Sequence, residues 1–425
     1  MRILSHLLAL STSLALATAN LEVRTTPGHG NSPGHRTCTV KARGNHKNDV
    51  PNILKAFKKC NHGGKIIFPE GEEYYIAERL NPHVRDIEIE WRGTWLYSDN
   101  LTYWRANSYP IEFQNHAAGF ILSGSGISIN GHGTGNINGN GEAWYVDEAG
   151  TTRPGRPMPF VFWNVTDVHV SNFAVYNPQL WAINIMNGTD MEFENIEVHV
   201  NDSAAPEGEN WAQNTDGFDT MDARNIRLHN FTVTGGDDCV AIKPRSYNIH
   251  ASNVTCNGGN GIAIGSLGQY LEDASVTDVV IEDAKVPGTR FGTYIKTWMG
   301  HLVPQSHYES GGLPRGGGWG FVQNITFRDI DVGGSQIGIL ITQDNGNNGS
   351  YAGTSKMGIR DVLFENVWGD LSSRRERVSV DCSRVHPCYG VRFEDVEVYN
   401  NKGVKSRGAC RWTAEGGVTG LEGCE

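Results

Sequence analysis

Residues 167–175 have the sequence Asp-Val-His-Val-Ser-Asn-Phe-Ala-Val, and residues 190–198 repeat its pattern as Asp-Met-Glu-Phe-Glu-Asn-Ile-Glu-Val. Apolar residues alternate with other residues in both stretches, which predicts short β-strands rather than helices. Asp or Asn at positions one and six suits turns, where these residues tolerate left-handed backbone and form side-chain-to-backbone hydrogen bonds. Further copies of the pattern begin at Asn225, Asn248, Asp278, Asn324, Asp361 and Gly390.

The spacing of these copies distinguishes between the repeat architectures. Successive copies start 23, 35, 23, 30, 46, 37 and 29 residues apart. A propeller blade needs roughly 40–50 residues for its four strands, whereas 23 residues suffice for one coil of three short strands and three turns. The pattern therefore predicts an all-β fold, a single-domain parallel β-helix, in which the longer spacings are coils with inserted loops.

The N-terminal region indicates export. Residues 1–19 combine Arg2, an apolar stretch and the small residues Ala17-Thr18-Ala19, which is typical of a secretory signal peptide. We expect a flexible segment over 20–36 and the β-helix over 37–425. A short amphipathic helix around residues 50–57 would cap the first coil. No other stretch is expected to span a membrane, and we predict a secreted, extracellular protein.

Cysteines and glycosylation sequences agree with an oxidising compartment. We expect the eight cysteines to pair with their sequence neighbours, although eight allow 105 pairings: Cys38 with Cys60, Cys239 with Cys256, Cys382 with Cys388, and Cys410 with Cys424. The absence of any CxxC pair disfavours zinc. N-x-S/T sequences occur at Asn100, Asn164, Asn187, Asn201, Asn230, Asn253, Asn324 and Asn348, and each is a candidate for N-glycosylation.

The formal net charge of −11 argues against a nucleic-acid partner. An anionic substrate would need a local basic pocket against this overall charge.

Three aspartates recur at the period of the coil. Asp216 lies in Asn-Thr-Asp-Gly-Phe-Asp (214–219), and Asp237 and Asp238 lie in Gly-Gly-Asp-Asp-Cys (235–239). Asp238 follows Asp216 by 22 positions, and Asn260 follows Asp238 by another 22. Adjacent coils pair about 4.8 Å apart, so the aspartates should meet. Neighbouring carboxyls separate each other's pKa values, as acid–base hydrolysis of a glycosidic bond requires. Solvated turn aspartates or a calcium site are the alternatives.

Four motifs resemble those of the polygalacturonases, glycoside hydrolase family 28. They are Asn214-Thr215-Asp216, Gly236-Asp237-Asp238-Cys239, Gly258-Gly259-Asn260-Gly261-Ile262 and Tyr294-Ile295-Lys296-Thr297. The resemblance implies a right-handed parallel β-helix, inverting hydrolysis of pectin and no metal cofactor. It also implies that Asp237 is the general acid, that Asp216 and Asp238 activate the water, and that Lys296 binds a galacturonate carboxylate. The family's disulfide beside the active site falls on Cys239 and Cys256.

Two positions differ from the usual family pattern. Asn260 stands where the family normally carries His, and Tyr294 stands where it normally carries Arg. Asn cannot titrate, and Tyr offers a ring face and one hydroxyl in place of a guanidinium. Both are candidate substrate-binding residues, as is Lys243, which could meet a terminal carboxylate. This variant, with Gly258–Tyr270 and Tyr294–Trp298, resembles a fungal exo-acting subgroup.

We therefore predict a monomeric exo-acting hydrolase that binds an anionic pectic polysaccharide or oligogalacturonate and releases galacturonic acid from the non-reducing end. Insertions at 201–213 and 301–319 could close one end of its groove, although long loops are also simply tolerated. Within the class, the alternatives are a rhamnogalacturonan galacturonohydrolase and a xylogalacturonan-active enzyme. Outside it, the alternatives are a pectate lyase, which would need calcium, and a non-catalytic carbohydrate-binding solenoid.

Overall fold

Parallel strands stack coil upon coil in the computed structural model, which describes residues 36–346, 349–373 and 378–424. The predicted signal peptide and nearly all of the predicted flexible segment lie outside the described residues. The strands are β1 Thr37–Thr39, β2 Lys65–Phe68, β3 Glu73–Ile76, β4 His83–Trp91, β5 Thr94–Tyr97, β6 Tyr109–Ile111, β7 His116–Ala118, β8 Ile121–Asn130, β9 Asn136–Asn138, β10 Pro157–Met158, β11 Phe160–Tyr176, β12 Ile183–His199, β13 Phe218–Met221, β14 Arg224–Thr234, β15 Asp238–Ile242, β16 Ser246–Asn257, β17 Gly261–Leu267, β18 Val276–Lys285, β19 Phe291–Trp298, β20 Trp319–Asp331, β21 Ile337–Asn345, β22 Lys356–Asp370, β23 Val378–Asp381, β24 Tyr389–Tyr399, β25 Gly408–Arg411 and β26 Val418–Thr419.

Among the described residues, three short α-helices interrupt the strands. They are α1 Val50–Cys60, α2 Leu101–Asn107 and α3 Glu142–Glu148. Helix α1 buries Val50, Ile53, Ala56, Phe57 and Cys60 and packs against β1, β2 and β4. The predicted cap is confirmed, because this apolar face covers the open end of the first coils. Helices α2 and α3 were not predicted. In the part of the chain that the structure describes, no helix has the length and apolar character needed to cross a membrane.

The repeat pattern forms long bent strands that pair in parallel from coil to coil. β12 pairs with β14, β14 with β16, β16 with β18, and so on to β24. The fold is the predicted right-handed parallel β-helix. Its core holds aromatic stacks, such as Phe327, Phe364 and Phe393, whose ring centroids lie 5.1 and 5.0 Å apart. Identical turns thus bring equivalent side chains together on successive coils.

The Asx positions of the repeat bend each strand. Their residues have φ between +51° and +60° in the seven copies from Asp167 to Asp361. The structure corrects one expectation, because these side chains bond mainly to each other and not to backbone. Asn195 donates to Asn172, and Asn230 to Asn195, at 3.0 and 2.6 Å. Asn253 in turn donates to Asn230 at 3.2 Å. Stacking places equivalent amides about one strand spacing apart, so the four form a ladder.

All eight cysteines pair as predicted. The structure contains Cys38–Cys60, Cys239–Cys256, Cys382–Cys388 and Cys410–Cys424. The described asparagines of the glycosylation sequences are all exposed, namely Asn100, Asn164, Asn187, Asn201, Asn230, Asn253 and Asn324. Asn348 lies outside the described residues. Exposure agrees with glycosylation at the seven sites, which stays a prediction.

Candidate active site

The predicted site residues lie on or directly beside one sheet, which we call the site sheet. Asp238, Tyr294 and Lys296 lie on its strands, whereas Asp216, Asp237, Asn260 and Lys243 border them. It consists of the start of β12, then β13, β15, β17, β19, β21, β23 and β25, paired in parallel. One side of each strand packs into the core through residues such as Ile242, Ile264 and Ile295. The opposite side faces outward and carries Tyr294 and Lys296, while the turns before β13, β15 and β17 carry Asp216, Asp237 and Asn260.

The aspartates meet across adjacent coils, as the period predicted. The Gly217 N–H donates to the Asp238 carbonyl at 2.8 Å, which places Asp216 and Asp238 at equivalent positions of neighbouring coils. Both are almost fully buried, with 3% and 2% exposure. Asn260 stacks on Asp237 through an Asn260 N–H bond of 2.7 Å to the Asp237 carbonyl.

Asp237 is held on both carboxyl oxygens. The Asn260 Nδ2 group donates to Oδ1, and the Asn214 backbone N–H donates to Oδ2 at 2.7 Å. Burial raises the pKa of Asp237, and the nearby negative charge of Asp238 raises it further. A raised pKa keeps a carboxyl protonated at higher pH, as a general acid requires.

Asp238 has the opposite electrostatic setting. Lys296 Nζ lies 2.8 Å from its Oδ2, and the Tyr294 hydroxyl donates to its Oδ1. Burial acts to raise the pKa of Asp238, but Lys296 and Lys243 and the hydrogen bonds from Lys296 and Tyr294 bring this pKa below its ordinary value. The adjacent aspartates thus have pKa values moved in opposite directions, which suits one acid and one base.

Lys243 is buried behind the aspartates, with 4% exposure. Its Nζ lies 3.1 Å from Asp216 Oδ2 and 3.0 Å from Asp219 Oδ1, and 4.3 Å from the Trp181 ring centroid. We expected Lys243 to meet a substrate carboxylate, but the structure gives it two carboxylates of the protein. A buried ammonium offsets two buried charges that would otherwise be costly.

Asp219 ends the stretch 214–219 that carries Asp216, and no role was predicted for it from the sequence. It is 2% exposed, and burial raises its pKa to about 6 against the opposing charge of Lys243. Burial also raises the pKa of Asp216 well above its ordinary value, although Lys243 opposes this rise. Asp219 faces outward on β13 because it alternates with the core residues Phe218 and Thr220. This alternation could have predicted the outward position of Asp219 from the sequence.

Tyr294 is 3% exposed and does not form an open platform for a sugar ring. It lies in register with Ala263 and, one coil further, with Ala241. These two alanines pack against the tyrosine as a small apolar cluster. Their small side chains leave room for the ring to extend over two coils, so that its hydroxyl reaches Asp238.

A separate segment, 109–118, closes the outward face on the N-terminal side, and we call it the closing segment. Its strands β6 and β7 pair with each other, and β7 pairs with β10. Phe113 and His116 pack on Trp181, with ring centroids 6.3 and 4.5 Å apart. The Ala182 N–H donates to the Asp216 carbonyl at 2.8 Å, so Trp181 lies one coil before Asp216.

The insertion after the Lys296 motif contacts the closing segment. Asn115 Nδ2 donates to the Tyr308 carbonyl at 2.9 Å. The Tyr270 hydroxyl accepts from the Gln114 N–H at 3.0 Å and donates to the Glu309 carbonyl at 3.3 Å. The expected role of residues 301–319 in closing the site is therefore shared with a segment that the sequence did not indicate.

Among residues 36–346, 349–373 and 378–424, no group of three or more His, Cys, Asp and Glu side chains is arranged to hold a metal ion.

Comparisons with known proteins identify enzymes that are similar to this chain in sequence and in fold. The chain is 58% identical over 397 residues to an Aspergillus niger protein whose assigned name is galacturan 1,4-alpha-galacturonidase C, covering 92% of this chain and 94% of that one. It is 34% identical to the exopolygalacturonase of Cochliobolus carbonum, covering 89% and 84%. Among solved structures, the endo-xylogalacturonan hydrolase of Aspergillus tubingensis superimposes with a TM-score of 0.77 at 25% identity, covering 92% of this chain and all of that one.

The family comparison covers the whole site. The sequence model of glycosyl hydrolases family 28 matches residues 82–416, a range that contains the closing segment, the three aspartates and Lys296. The chain therefore belongs to glycosyl hydrolases family 28.

Proposed function

We propose that this protein is an exo-acting pectin hydrolase that releases galacturonic acid from the non-reducing end of galacturonan chains. The observation that carries the proposal is the closing segment, which covers the outward face one coil from Asp216. A chain can therefore extend only towards Lys296, and a site closed beside its catalytic groups binds chain ends. The names of the relatives, a galacturan 1,4-alpha-galacturonidase and an exopolygalacturonase, support the same activity.

The carboxyl pair supplies the acid and the base. Protonated Asp237 would donate its proton to the glycosidic oxygen as the bond breaks. Ionised Asp238 would take a proton from the attacking water, with Asp216 helping to hold that water. Single displacement of this kind inverts the anomeric centre. Lys296, whose side chain is 19% exposed, is free enough to contact a substrate carboxylate while it holds Asp238.

Export to an oxidising compartment is part of the proposal. The four disulfides support it, together with the exposed glycosylation sequences. We propose a secreted monomer that needs no cofactor.

Product sizing tests the proposal. Oligogalacturonates of defined length, labelled at the reducing end, are incubated with the purified protein and sampled early. We expect unlabelled monomer and a labelled chain that shortens by one unit at a time. Mid-sized labelled fragments at early times would contradict exo action. NMR of the fresh monomer should show the inverted anomer.

The Asp237→Asn variant is the control for catalysis. It preserves the shape of the side chain while removing the acid, so kcat should fall by roughly 10²–10⁴-fold, which is the usual contribution of general acid catalysis.

Unsaturated products that depend on calcium would indicate a lyase. A wild-type protein that binds oligomers without cleaving them would indicate a binding solenoid.

A further inference from the structure

A row of outward-facing side chains runs along the stack of coils, on the sheet that follows the site sheet around each coil. The strand register places six residues at equivalent positions of successive coils. They are Arg224, Tyr247, Thr277, Gln323, Arg360 and Tyr389. Their chain neighbours Val276, Val322 and Ile359 are buried in the core, and successive residues of a strand point to opposite faces. The six side chains therefore form one surface row, which we call the flanking row.

Arg360 is held in the flanking row by neutral partners. Its Nε and Nη2 donate to Gln323 Oε1 at 2.9 and 2.6 Å, and its Nη1 donates to the Tyr389 hydroxyl at 3.1 Å. Its Cζ also lies 4.3 Å from the centroid of the Phe321 ring. No described carboxylate forms an ion pair with Arg360. The guanidinium is therefore fixed in position while its charge stays available to an external anion.

Two further cations of this face have no acidic partner. Arg224 lies 4.8 Å from the centroid of the Tyr247 ring, and Lys356 is in register with Trp319 of the preceding coil. Both cations are exposed, and neither forms an ion pair with a described carboxylate. Because the chain has a net charge of −11, three unpaired cations on one face are a local exception.

The acids that border this face bond to neutral groups. Asp273 accepts from the Ser275 N–H and hydroxyl at 2.9 and 2.6 Å. Asp278, at the bend beside the row, accepts from Asn324 at 2.6 Å, and Asp361 accepts from Gln323 at 3.5 Å. None of the three forms an ion pair with the cations of the face, which therefore remain free to bind a ligand.

Exposed aromatic rings lie on the same face. Trp319, Phe321 and Tyr389 are 53%, 42% and 46% exposed, and they are three of the five exposed Phe, Trp and Tyr side chains among the described residues. Gly358 is in register with Phe321, and a Cβ there would lie 2.8 Å from the ring. The glycine thus leaves room for the ring to lie across the next coil. Exposed apolar groups with a polar rim mark interaction surfaces.

The dimensions of the row favour a polymer over a small anion. Arg224 and Arg360 lie four coils apart, which is about 19 Å at the spacing of paired strands. A polyuronate carries a carboxylate on every unit and has apolar sugar faces between them, which suits cations interspersed with aromatic rings. A second copy of this chain is a poorer match, because a two-fold contact would bring the same cations together.

We propose that the flanking row is a non-catalytic binding surface for a polyuronate chain that lies along the stack of coils. The proposal rests on the function proposed above and adds a second place at which the polymer is bound. An exo-acting enzyme encounters few chain ends in a long polymer. A surface that holds the polymer beside the site would raise the local concentration of those ends.

Affinity electrophoresis through gels that contain polygalacturonate tests the inference without cleavage, in proteins that all carry Asp237→Asn. N-glycans are removed first, because Asn324 adjoins the row. We expect Trp319→Ala with Arg360→Gln to weaken retardation by the polymer about 10-fold in apparent Kd. The matched control is Trp368→Ala with Arg392→Gln, the same changes at exposed positions elsewhere, which should leave retardation unchanged.

Kinetics of the row variant with Asp237 intact supply the second readout. KM on polygalacturonate should rise several-fold, whereas kcat/KM on trigalacturonate, which engages the site alone, should not change. Unchanged retardation, an equal loss in the control pair, or an equal loss on the trimer would overturn the inference. A wild-type dimer that the row variant abolishes would overturn it too, because a second copy would then be the occupant. Absence of galacturonate release by the wild type would instead contradict the proposed function, while retardation by the polymer would still be measurable.

Discussion

The Tyr294 hydroxyl donates a hydrogen bond to Oδ1 of Asp238 although the two residues lie 56 positions apart. The tyrosine ring crosses over Ala263 and Ala241 to make this contact. Lys296 Nζ holds the other oxygen of Asp238 and also donates to the Tyr294 hydroxyl at 3.2 Å. Tyr294 is therefore a positioning residue for the proposed base.

Tyr294→Phe removes this hydrogen bond and keeps the ring. Because the bond helps to lower the pKa of Asp238, its loss should raise that pKa, and the acid limb of the kcat profile should move to higher pH by about one unit. We expect kcat to fall roughly 10-fold, since a hydrogen bond to a charged group contributes about 1.5–3 kcal/mol. Tyr389→Phe, at an exposed position, is the control. An unchanged acid limb would contradict the positioning role.

Asn260→His tests the amide that holds Asp237. An imidazolium beside Asp237 would favour its ionised form and lower the pKa of the proposed acid by about one unit or more. The basic limb of the kcat profile should then move to lower pH, because the acid must remain protonated. Asn260→Gln, which is neutral, should leave this limb in place. A basic limb that stays fixed in Asn260→His would mean that Asp237 is not the acid.

Lys243→Met should destabilise the protein in a pH-dependent way. It leaves Asp216 and Asp219 buried without their shared partner, at a cost of about 3–5 kcal/mol at neutral pH. Burial already raises the pKa of both carboxyls. They become neutral as pH falls through these raised pKa values and no longer need the ammonium, so the loss should shrink towards pH 4. Denaturant unfolding at pH 4 and pH 7 measures the loss of stability relative to the wild type. An equal loss at both pH values would refute this account.

Phe113→Ala should loosen the closing segment. Its side chain packs on Trp181 and Tyr270, and removing a buried phenylalanine costs about 3–5 kcal/mol. We expect dimers and trimers of galacturonate among the earliest products, in place of monomer alone. Phe393→Ala removes the same side chain from the C-terminal core and should leave the product pattern unchanged. Monomer as the sole early product in both variants would show that the segment does not set exo action.

Variants of Asn195 test how much the ladder of Asn side chains contributes to stability. Asn195 donates to Asn172 and accepts from Asn230, and its φ is +55°. Asn195→Gly keeps the left-handed backbone accessible and loses both hydrogen bonds, so we expect a loss of about 1–2 kcal/mol. Asn195→Ala should lose about 1 kcal/mol more, because its Cβ disfavours this conformation. Equal stabilities of the two variants would show that backbone conformation is not what Asn provides.

The coil and the aspartates were predictable because both depend on local spacing. A period of 22 residues suffices to align Asp216 with Asp238, without knowledge of any distant contact. The same step placed Asn260 opposite Asp238, but the strand register pairs Asp238 with Gly261, so Asn260 lies opposite Asp237. The Asx positions also indicated left-handed turns correctly. Their bonding to one another was missed, because it depends on the stacking of successive coils and not on the turn itself.

The closing segment could not be predicted, because its contacts are distant in the sequence and not set by local spacing. Residues 109–118 carry no copy of the repeat, and their hydrogen bonds to Tyr270 and Tyr308 span 156 and 193 positions. Lys243 was misjudged because lysine is usually exposed. Its burial follows from the two carboxylates around it, and only the assembled sheet brings them together.

The disulfides are concentrated at the two ends of the stack. Cys38–Cys60 ties helix α1 to the first strand, and Cys382–Cys388 and Cys410–Cys424 lie in the last coils. In a linear array each coil is supported only by its neighbours, so the terminal coils have one neighbour fewer and open first. The covalent links therefore protect the places where unravelling would begin. The fourth link, Cys239–Cys256, lies directly beside Asp238 in the middle of the array, so reduction should loosen the active site as well as the two ends.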